Sequence, residues 1–250
     1  MLAAEDNPTN QKLVVLLLEQ HGHRVTTVGS GREAVAKAAE GPFEVILMDV
    51  QMPDMDGFEA TAAIRRREIA TGVHTPIIAM TAHAMPGDRE RCLAGGMDAY
   101  VPKPLRLDEL LSTIDGFFSA KPGDAAAPAA SSHAGQTRAS TVDGEALLEN
   151  LAQNKKLLSE VITVFLSEAP KQLATLRAAT DAPALAAAAH AIKGAVGLFA
   201  KGEAFDAARR LELAARSGDL TDLDERRGDI ERELGRVCAD LETLLRASSR

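Results

Sequence analysis

Phe43-Glu44-Val45-Ile46-Leu47-Met48-Asp49 is the most continuous apolar strand-like run in the chain, and it ends on a carboxylate. A run of this length reads as a strand buried on both faces, the pattern of a parallel sheet. Three other sites stand just beyond strand-like segments: Glu5-Asp6, Thr81 and Lys103. In an open parallel sheet the carboxyl ends of the strands share one rim, so residues far apart in the chain meet there. Such a rim would gather three carboxylates, a hydroxyl and an ammonium, a set that suits a divalent cation and a transferable phosphoryl group better than a stable core.

Outward from that run, residues 1–118 alternate short apolar segments with helical patterns, as an α/β domain does. The expected strands are Leu2–Ala4, Arg24–Val28, Glu44–Asp49, Pro76–Thr81 and Ala99–Val101. Asn7-Pro8 supplies a cap and a first-turn proline for a helix carrying Val14, Leu17 and Leu18. Later helices are expected from about Arg32, Asp56, Pro86 and Leu107. Residues 119–141 are rich in Ala, Pro, Ser and Gly and read as a flexible linker. Residues 142–250 carry only helical stripes: Leu157, Leu158, Val161 and Phe165; Leu185, Ala189, Ile192, Val196 and Phe199; Ile230, Leu234, Val237, Leu241 and Leu244. Amphipathic helices joined by short connections predict an all-α four-helix bundle.

With 250 residues, each half is long enough to bury its own core. Aromatics make up 3% and tryptophan is absent, so the stacking platforms of single-strand nucleic-acid binders are missing. A net charge of -8 and a pI near 5.3 also oppose a polyanionic partner. Arg65-Arg66-Arg67 reads as a solvated helical face. Cys92 and Cys238 fall in different expected domains without metal-ligand spacing, which fits a reducing cytoplasm. Apolar stretches such as Leu13 to Leu18 are too short to span a bilayer, and the acidic N-terminus does not resemble a signal peptide, so no direct membrane contact is expected. The first strand has only Met1 to Ala4 ahead of Glu5, shorter than a usual buried strand, which suggests a piece of something longer or a misassigned start.

Glu5, Asp6 and Asp49 brought together would repel one another, so a cation or the Lys103 ammonium must keep them ionised. Mg²⁺ is the natural cation for oxygen ligands combined with phosphate. Asp49, on the most rigid support, is the candidate nucleophile, since carboxylates can form aspartyl phosphates. Thr81 and Lys103 would contact phosphoryl oxygens, and the small Ala82 would leave an approach open. Asp54-Met55-Asp56-Gly57 is not a calcium loop, because aligning Gly57 with the loop glycine puts Met52 first and Ala63 last, where acidic ligands are required.

Glu5-Asp6-Asn7-Pro8, Met48-Asp49-Val50-Gln51-Met52-Pro53-Asp54-Met55-Asp56-Gly57, Met80-Thr81-Ala82 and Val101-Pro102-Lys103-Pro104 together resemble the receiver domain of bacterial response regulators over its whole length. The resemblance implies a flavodoxin-like five-stranded parallel sheet of order 2-1-3-4-5. It also implies that Asp49 is the phosphoacceptor, that Asp6, Asp49 and the Gln51 carbonyl bind Mg²⁺, and that Glu5 assists through water. Lys103 would contact the phosphoryl group, with a cis peptide bond before Pro104. Thr81 and Tyr100 would form a switch pair whose ring moves inward on phosphorylation.

In the second half, a helical count places Leu185, Ala189, Ile192, Val196 and Phe199 within about 40° of one direction, with His190 about 140° away, Lys193 about 80°, Gly197 about 120° and Gly194 about 180°. The histidine therefore faces away from the core stripe. An isolated surface histidine is usually just solvated, but two glycines that each cost a helix about 1 kcal/mol relative to alanine suggest a face approached by another surface. An imidazole nitrogen can attack a phosphoryl centre and a neighbouring lysine can neutralise the acquired charge. Ala189-His190-Ala191-Ile192-Lys193-Gly194-Ala195 resembles the motif of histidine phosphotransfer domains. By that resemblance His190 carries the phosphoryl group, Lys193 supports it, and Gly194, with Gly197, gives a docking receiver room. A glycine often found ten residues after the histidine in that family is Ala200 here.

The expected function is a two-component phosphorelay protein. Asp49 would accept a phosphoryl group from an upstream sensor histidine kinase, and His190 would pass it to the receiver of a separate response regulator. No glycine-rich nucleotide site is recognisable, so ATP would be used by another protein. The same domains would also fit a fragment of a hybrid sensor histidine kinase. A Mg²⁺-dependent aspartyl-phosphate hydrolase would share Asp49, but Gln51 replaces the second aspartate of its Asp-x-Asp motif; a purely structural interaction module would carry no phosphoryl group. A linker of about 23 residues has a root-mean-square span of about 26 Å, enough for the two domains of one chain to touch.

Overall fold

The computed structural model describes residues 1–81, 87–103, 105–119, 142, 147, 154–199 and 202–248. Strands β1 (Leu2–Ala4), β2 (Thr26–Val28), β3 (Ile46–Asp49), β4 (Ile77–Thr81) and β5 (Ala99–Pro102) alternate with helices α1 (Pro8–Glu19), α2 (Gly31–Glu40), α3 (Gly57–Thr71), α4 (Asp88–Ala94) and α5 (Leu107–Ser119). All strands pair in parallel in the order β2-β1-β3-β4-β5, the expected flavodoxin-like topology.

Strand alternation sorts the core into two layers. Ala3, Leu47, Ile78, Met80 and Val101 pack with Leu13, Val14 and Leu17 of α1 and Leu110 and Ile114 of α5. Leu2, Ala4, Ile46, Met48, Ile77 and Ala79 face the other way, against Ala34 of α2, Ala60 and Ile64 of α3 and Cys92 of α4. β1 is short, as its sequence implied, yet all three of its residues are fully buried and it pairs on both sides, Leu2 with Thr26 and with Ile46. Its central place, with both edges paired and both faces covered, compensates for its length.

Local signals set the helix starts near the rim. The Asn7 side chain accepts from the backbone amides of Thr9 and Asn10, and Pro8 opens α1. Asp56 and Glu59 form a reciprocal capping box, so α3 begins at Gly57, one residue after the expected start. Below the sheet, Arg65 fastens three segments: it donates to the carbonyls of Gly96 and Thr75 and pairs with Asp98 at 2.5 Å. The expected α4 start at Pro86 lies outside the described residues, as does nearly all of the expected linker. Ser119 closes α5.

The second half folds into helices α6 (Lys155–Ala178), α7 (Ala182–Gly197), α8 (Glu203–Ser217) and α9 (Leu223–Ser248). Leu157, Val161, Phe165, Leu185, Ile192, Val196, Leu211, Leu234 and Val237 form its core. The rings of Phe165 and Phe199 meet at 4.7 Å in a tilted pair. α8 carries no stripe among those read from the sequence, because its buried face is Ala204, Ala207, Ala208, Ala214 and Ala215 around a single Leu211. Alanine contrasts weakly with polar neighbours, so such a face shows little periodic signal. The bundle core is continuous with the α1 side of the first domain.

The loop after β3 is the tightest part of the rim. A Cβ at Gly57 would lie 2.3 Å from the Asp49 carbonyl oxygen and 2.9 Å from the Val50 Cα, both backbone atoms. We expect Gly57→Ala to lower stability by about 1–3 kcal/mol, the usual range for overpacking, measured as a reduced midpoint in thermal or urea unfolding.

Candidate functional site

β1, β3 and β4 end side by side, so the residues that follow them converge. Carboxylate oxygens of Glu5, Asp6 and Asp49 lie within 4.8 Å of one another. Lys103, just after β5, donates from Nζ to Glu5 Oε2 and to Asp49 Oδ2, each at 2.6 Å. The Gln51 amide donates to Asp49 Oδ1 at 3.1 Å and orients that carboxylate. Glu5 is tied further: Oε1 accepts from Asn10 Nδ2 at 2.9 Å and from the Asn7 amide at 3.3 Å. Thr81 is buried at the end of β4. Tyr100 is partly buried and packs on the core layer beneath α2, α3 and α4. Pro104 and Ala82 lie outside the described residues.

Burial raises the Asp49 pKa to about 7; Lys103 opposes the rise, and the charges of Glu5 and Asp6 add to it. Asp6 is also raised, first by burial and then by Glu5, with His190 and Lys103 opposing. Burial alone would lower Lys103, but Asp49 and Glu5 overrule it and hold the ammonium charged. One ammonium thus faces three carboxylates. The set fits Mg²⁺: the oxygens are hard donors at ligand spacing, and a divalent charge would offset the burial and mutual repulsion that hold the two aspartates above their ordinary range. The buried Gln51 Oε1 has no hydrogen-bond partner among the described residues, a further sign of a site arranged for something other than its own closure.

His190 lies on α7 with Nδ1 at 2.9 Å from Glu212 Oε1. The other Glu212 oxygen accepts from Lys193 Nζ at 2.6 Å, and Arg216 pairs with Oε1 at 2.7 Å. Burial would raise the Glu212 pKa, but the hydrogen bonds and charges of His190 and Lys193 outweigh it and pull it to about 2. A carboxylate only accepts, so His190 Nδ1 carries a hydrogen, and in the neutral ring Nε2 holds the lone pair.

Two positions differ from the sequence-based picture. Lys193, expected beside the phosphate, is buried and its ammonium rests on Glu212. Gly197, expected on the docking face, is half-buried against the neighbouring helix: a Cβ there would meet the Phe205 ring at 3.2 Å. Its lower angle from the core stripe compared with Gly194 brings it under the α8 interface. Glu212 was missed altogether. Its signal was present, since it continues the apolar stripe Ala204, Ala208 at four-residue spacing, and a carboxylate at a core position requires partners.

The two halves of the site face each other. Asp6, Gln51 and Thr81 line a cleft of about 580 Å³ whose opposite wall is Pro183, His190 and Arg216. His190 points away from the bundle core, as the helical count implied, and its side chain is 16% exposed where it lines the cleft. Gly194 faces α1: a Cβ there would lie 3.6 Å from Asn10 Nδ2 and 3.8 Å from Asn7 Nδ2.

Comparison with known proteins agrees with this division. Residues 1–115 match the model of the response regulator receiver domain and residues 160–240 match that of the Hpt domain. Histidine kinase 1 of Arabidopsis thaliana is 41% identical over 147 residues, covering 46% of this chain and 12% of that protein. The signal transduction histidine-protein kinase BarA of Escherichia coli K12 is 44% identical over 110 residues, 44% of this chain and 12% of that protein. The chain thus spans about an eighth of the length of these kinases. Among solved structures, the receiver domain of sensor histidine kinase PA1611 from Pseudomonas aeruginosa PAO1, with a magnesium ion coordinated in its active-site cleft, is 41% identical, covers 48% of this chain and 96% of its own, and superposes with a TM-score of 0.44. The parallel sheet with its acidic rim and the helical bundle with its histidine are therefore, in chain order, a response regulator receiver domain and an Hpt domain.

Proposed function

We propose that this chain relays a phosphoryl group: Asp49 accepts it from the phosphohistidine of an upstream sensor histidine kinase, and His190 takes it on toward the receiver of a separate response regulator. The observation that carries this reading is the cleft that Asp6, Gln51 and Thr81 of the rim share with His190. The domain boundaries we adopt are 1–118 and 142–250, with the segment between them as linker. No described helix is long and apolar enough to cross a membrane, and we place the relay in the cytoplasm.

Each step follows from the residues. An Asp49 oxygen attacks phosphorus as the donor's N–P bond breaks, giving an acyl phosphate. Lys103, already on Asp49 Oδ2, stays within reach of a phosphoryl oxygen, and the Thr81 hydroxyl at the cleft rim donates to another. Asp6, Asp49 and the Gln51 carbonyl would hold Mg²⁺, which supplies neutralising positive charge to the phosphoryl oxygens. Thr81 and Tyr100 are the pair that would report phosphorylation to the surface. Glu212 holds Nδ1–H of His190 and directs the Nε2 lone pair outward. When Nε2 bonds phosphorus, the positive charge left on the ring lies against the Glu212 carboxylate. Lys193 supports the histidine through that carboxylate rather than through phosphate. A reading as the C-terminal part of a hybrid sensor histidine kinase uses the same chemistry, with the phosphohistidine donor on the same polypeptide.

Incubation with acetyl phosphate and Mg²⁺ should label both residues. Asp49→Asn should abolish both labels, and His190→Gln should leave an acid-stable, base-labile label on Asp49 alone. Absence of label on either residue in the unmodified chain would sink the relay reading.

Mg²⁺ affinity should rise with pH. Protons compete for a carboxylate that titrates at about 7, so calorimetry at about pH 8 should find binding roughly tenfold tighter than at about pH 6. Asp49→Asn should weaken binding and flatten this dependence.

Glu212→Gln should slow transfer to His190 and lower stability by about 1–3 kcal/mol near neutrality, because the buried Lys193 ammonium loses its counter-charge. The folded pKa of about 2 lies below the ordinary 4.5, so the stabilisation is complete above 4.5 and is lost as pH falls through 2. Thermal midpoints of the two proteins should therefore converge across that interval.

A further inference from the structure

Asn10 is an amide on an apolar stripe. It stands in step with Leu13, Val14 and Leu17 on the buried face of α1, and is itself only 8% exposed. An apolar side chain there would avoid the desolvation of an amide and would suit a helix better. Its Nδ2 donates to Glu5 Oε1 at 2.9 Å. Asn7 adds only a backbone amide to that oxygen, at 3.3 Å, because its own side chain is engaged elsewhere. The Asn7 side-chain oxygen caps α1, and Nδ2 donates to the Ala191 carbonyl oxygen of α7 at 2.7 Å. Gln11 fastens the backbone of the same glutamate, with Nε2 donating to the Glu5 carbonyl oxygen at 2.6 Å. Glu5 is thus held at side chain and main chain by consecutive residues of α1, and the relay chemistry above uses neither of them.

We propose that Asn10 is a positioning residue for Lys103: it acts through Glu5 and sets where the ammonium stands against the phosphoacceptor. This proposal rests on the relay reading above and adds a residue to it. The hydrogen bonds run in one series. Asn10 Nδ2 donates to Glu5 Oε1, while Lys103 Nζ donates to Glu5 Oε2 and to Asp49 Oδ2, each at 2.6 Å. With both Glu5 oxygens occupied, the rotation of the carboxylate is fixed, and the ammonium keeps its remaining N–H for an incoming phosphoryl oxygen. A glutamate side chain has one more free torsion than an aspartate and costs more to order, so a fixed donor matters more at this position. Without the amide, Glu5 Oε1 keeps only the longer bond from Asn7, the carboxylate can turn, and Lys103 follows Asp49 alone. Gln11 has the complementary part, fixing the main chain from which Glu5 extends.

The test is a double-mutant cycle on the rate at which acetyl phosphate labels the full chain at saturating Mg²⁺, with Asn10→Leu, Glu5→Ala and both together. Asn10→Leu should slow labelling roughly 10- to 100-fold, the usual effect of removing a hydrogen-bond partner behind a site's charged groups. Its thermal midpoint should stay at or above that of the unmodified chain, because leucine continues the α1 stripe. Asn10→Asp, which keeps the shape and loses the donor, should slow labelling as well. Added to Glu5→Ala, Asn10→Leu should change the rate by less than about twofold, since the path through Glu5 is already cut. Effects of the two substitutions that multiply independently, or an unchanged rate in Asn10→Leu, overturn the proposal and leave the relay intact. If the unmodified chain takes no label, the relay reading fails, and the Lys103 Nζ resonance in NMR spectra decides the positioning separately. A shift in Asn10→Leu that is absent in the Glu5→Ala background supports it; an unchanged resonance, or a shift that persists there, overturns it.

Discussion

Three carboxylates within 4.8 Å of one another, two of them almost wholly buried, cannot all be charged without a nearby cation. Lys103 answers part of that demand by bridging Glu5 and Asp49, and it can do so only because β5 delivers it to the same rim as β1 and β3. Burial, aided by the charges of Glu5 and Asp6, still raises the Asp49 pKa to about 7 against the pull of Lys103, and a divalent cation would relieve it. The parallel sheet, the loop packed on Gly57 and the Asn7 cap of α1 all keep these charges at fixed distances.

The bundle carries the opposite arrangement. There, a single carboxylate, Glu212, is surrounded by His190, Lys193 and Arg216 and is held ionised down to about pH 2. Each site therefore contains one group of the sign that predominates in the other. In the relay proposed above, they would give a phosphoryl group an acidic, cation-dependent station and a cationic one, with Asp49 and His190 as the nucleophiles. Rigidity has different sources: the Gln51 backbone amide and a lysine orient Asp49, whereas one side chain from a neighbouring helix orients the imidazole.

The receiver's site was legible because its residues stand at strand ends, and strand ends are marked by where apolar runs stop. Asp49, Thr81 and Lys103 needed only the inference of a parallel sheet to be brought together, and the order of the strands came from the resemblance to the receiver domain that the motifs carry. α8 was hard to see because alanine lines its buried face, and Glu212 went unseen with it. Lys193 and Gly197 were placed by helical angle alone. An angle gives direction from one helix axis, but whether solvent, a sister helix or another domain lies in that direction depends on packing.

The sequence by itself determined the fold of each half, the acidic rim and the identity of the histidine, because each depends on short-range periodicity or on the order of motifs along the chain. Only the tertiary structure decided that Glu212 holds the imidazole, that Lys193 serves that carboxylate, and that Asn7 and Gly194 seat the histidine helix on α1. These contacts join residues 22, 19 and 184 positions apart. Their geometry depends on how helices rotate and pack in three dimensions, and no local pattern along the chain encodes that.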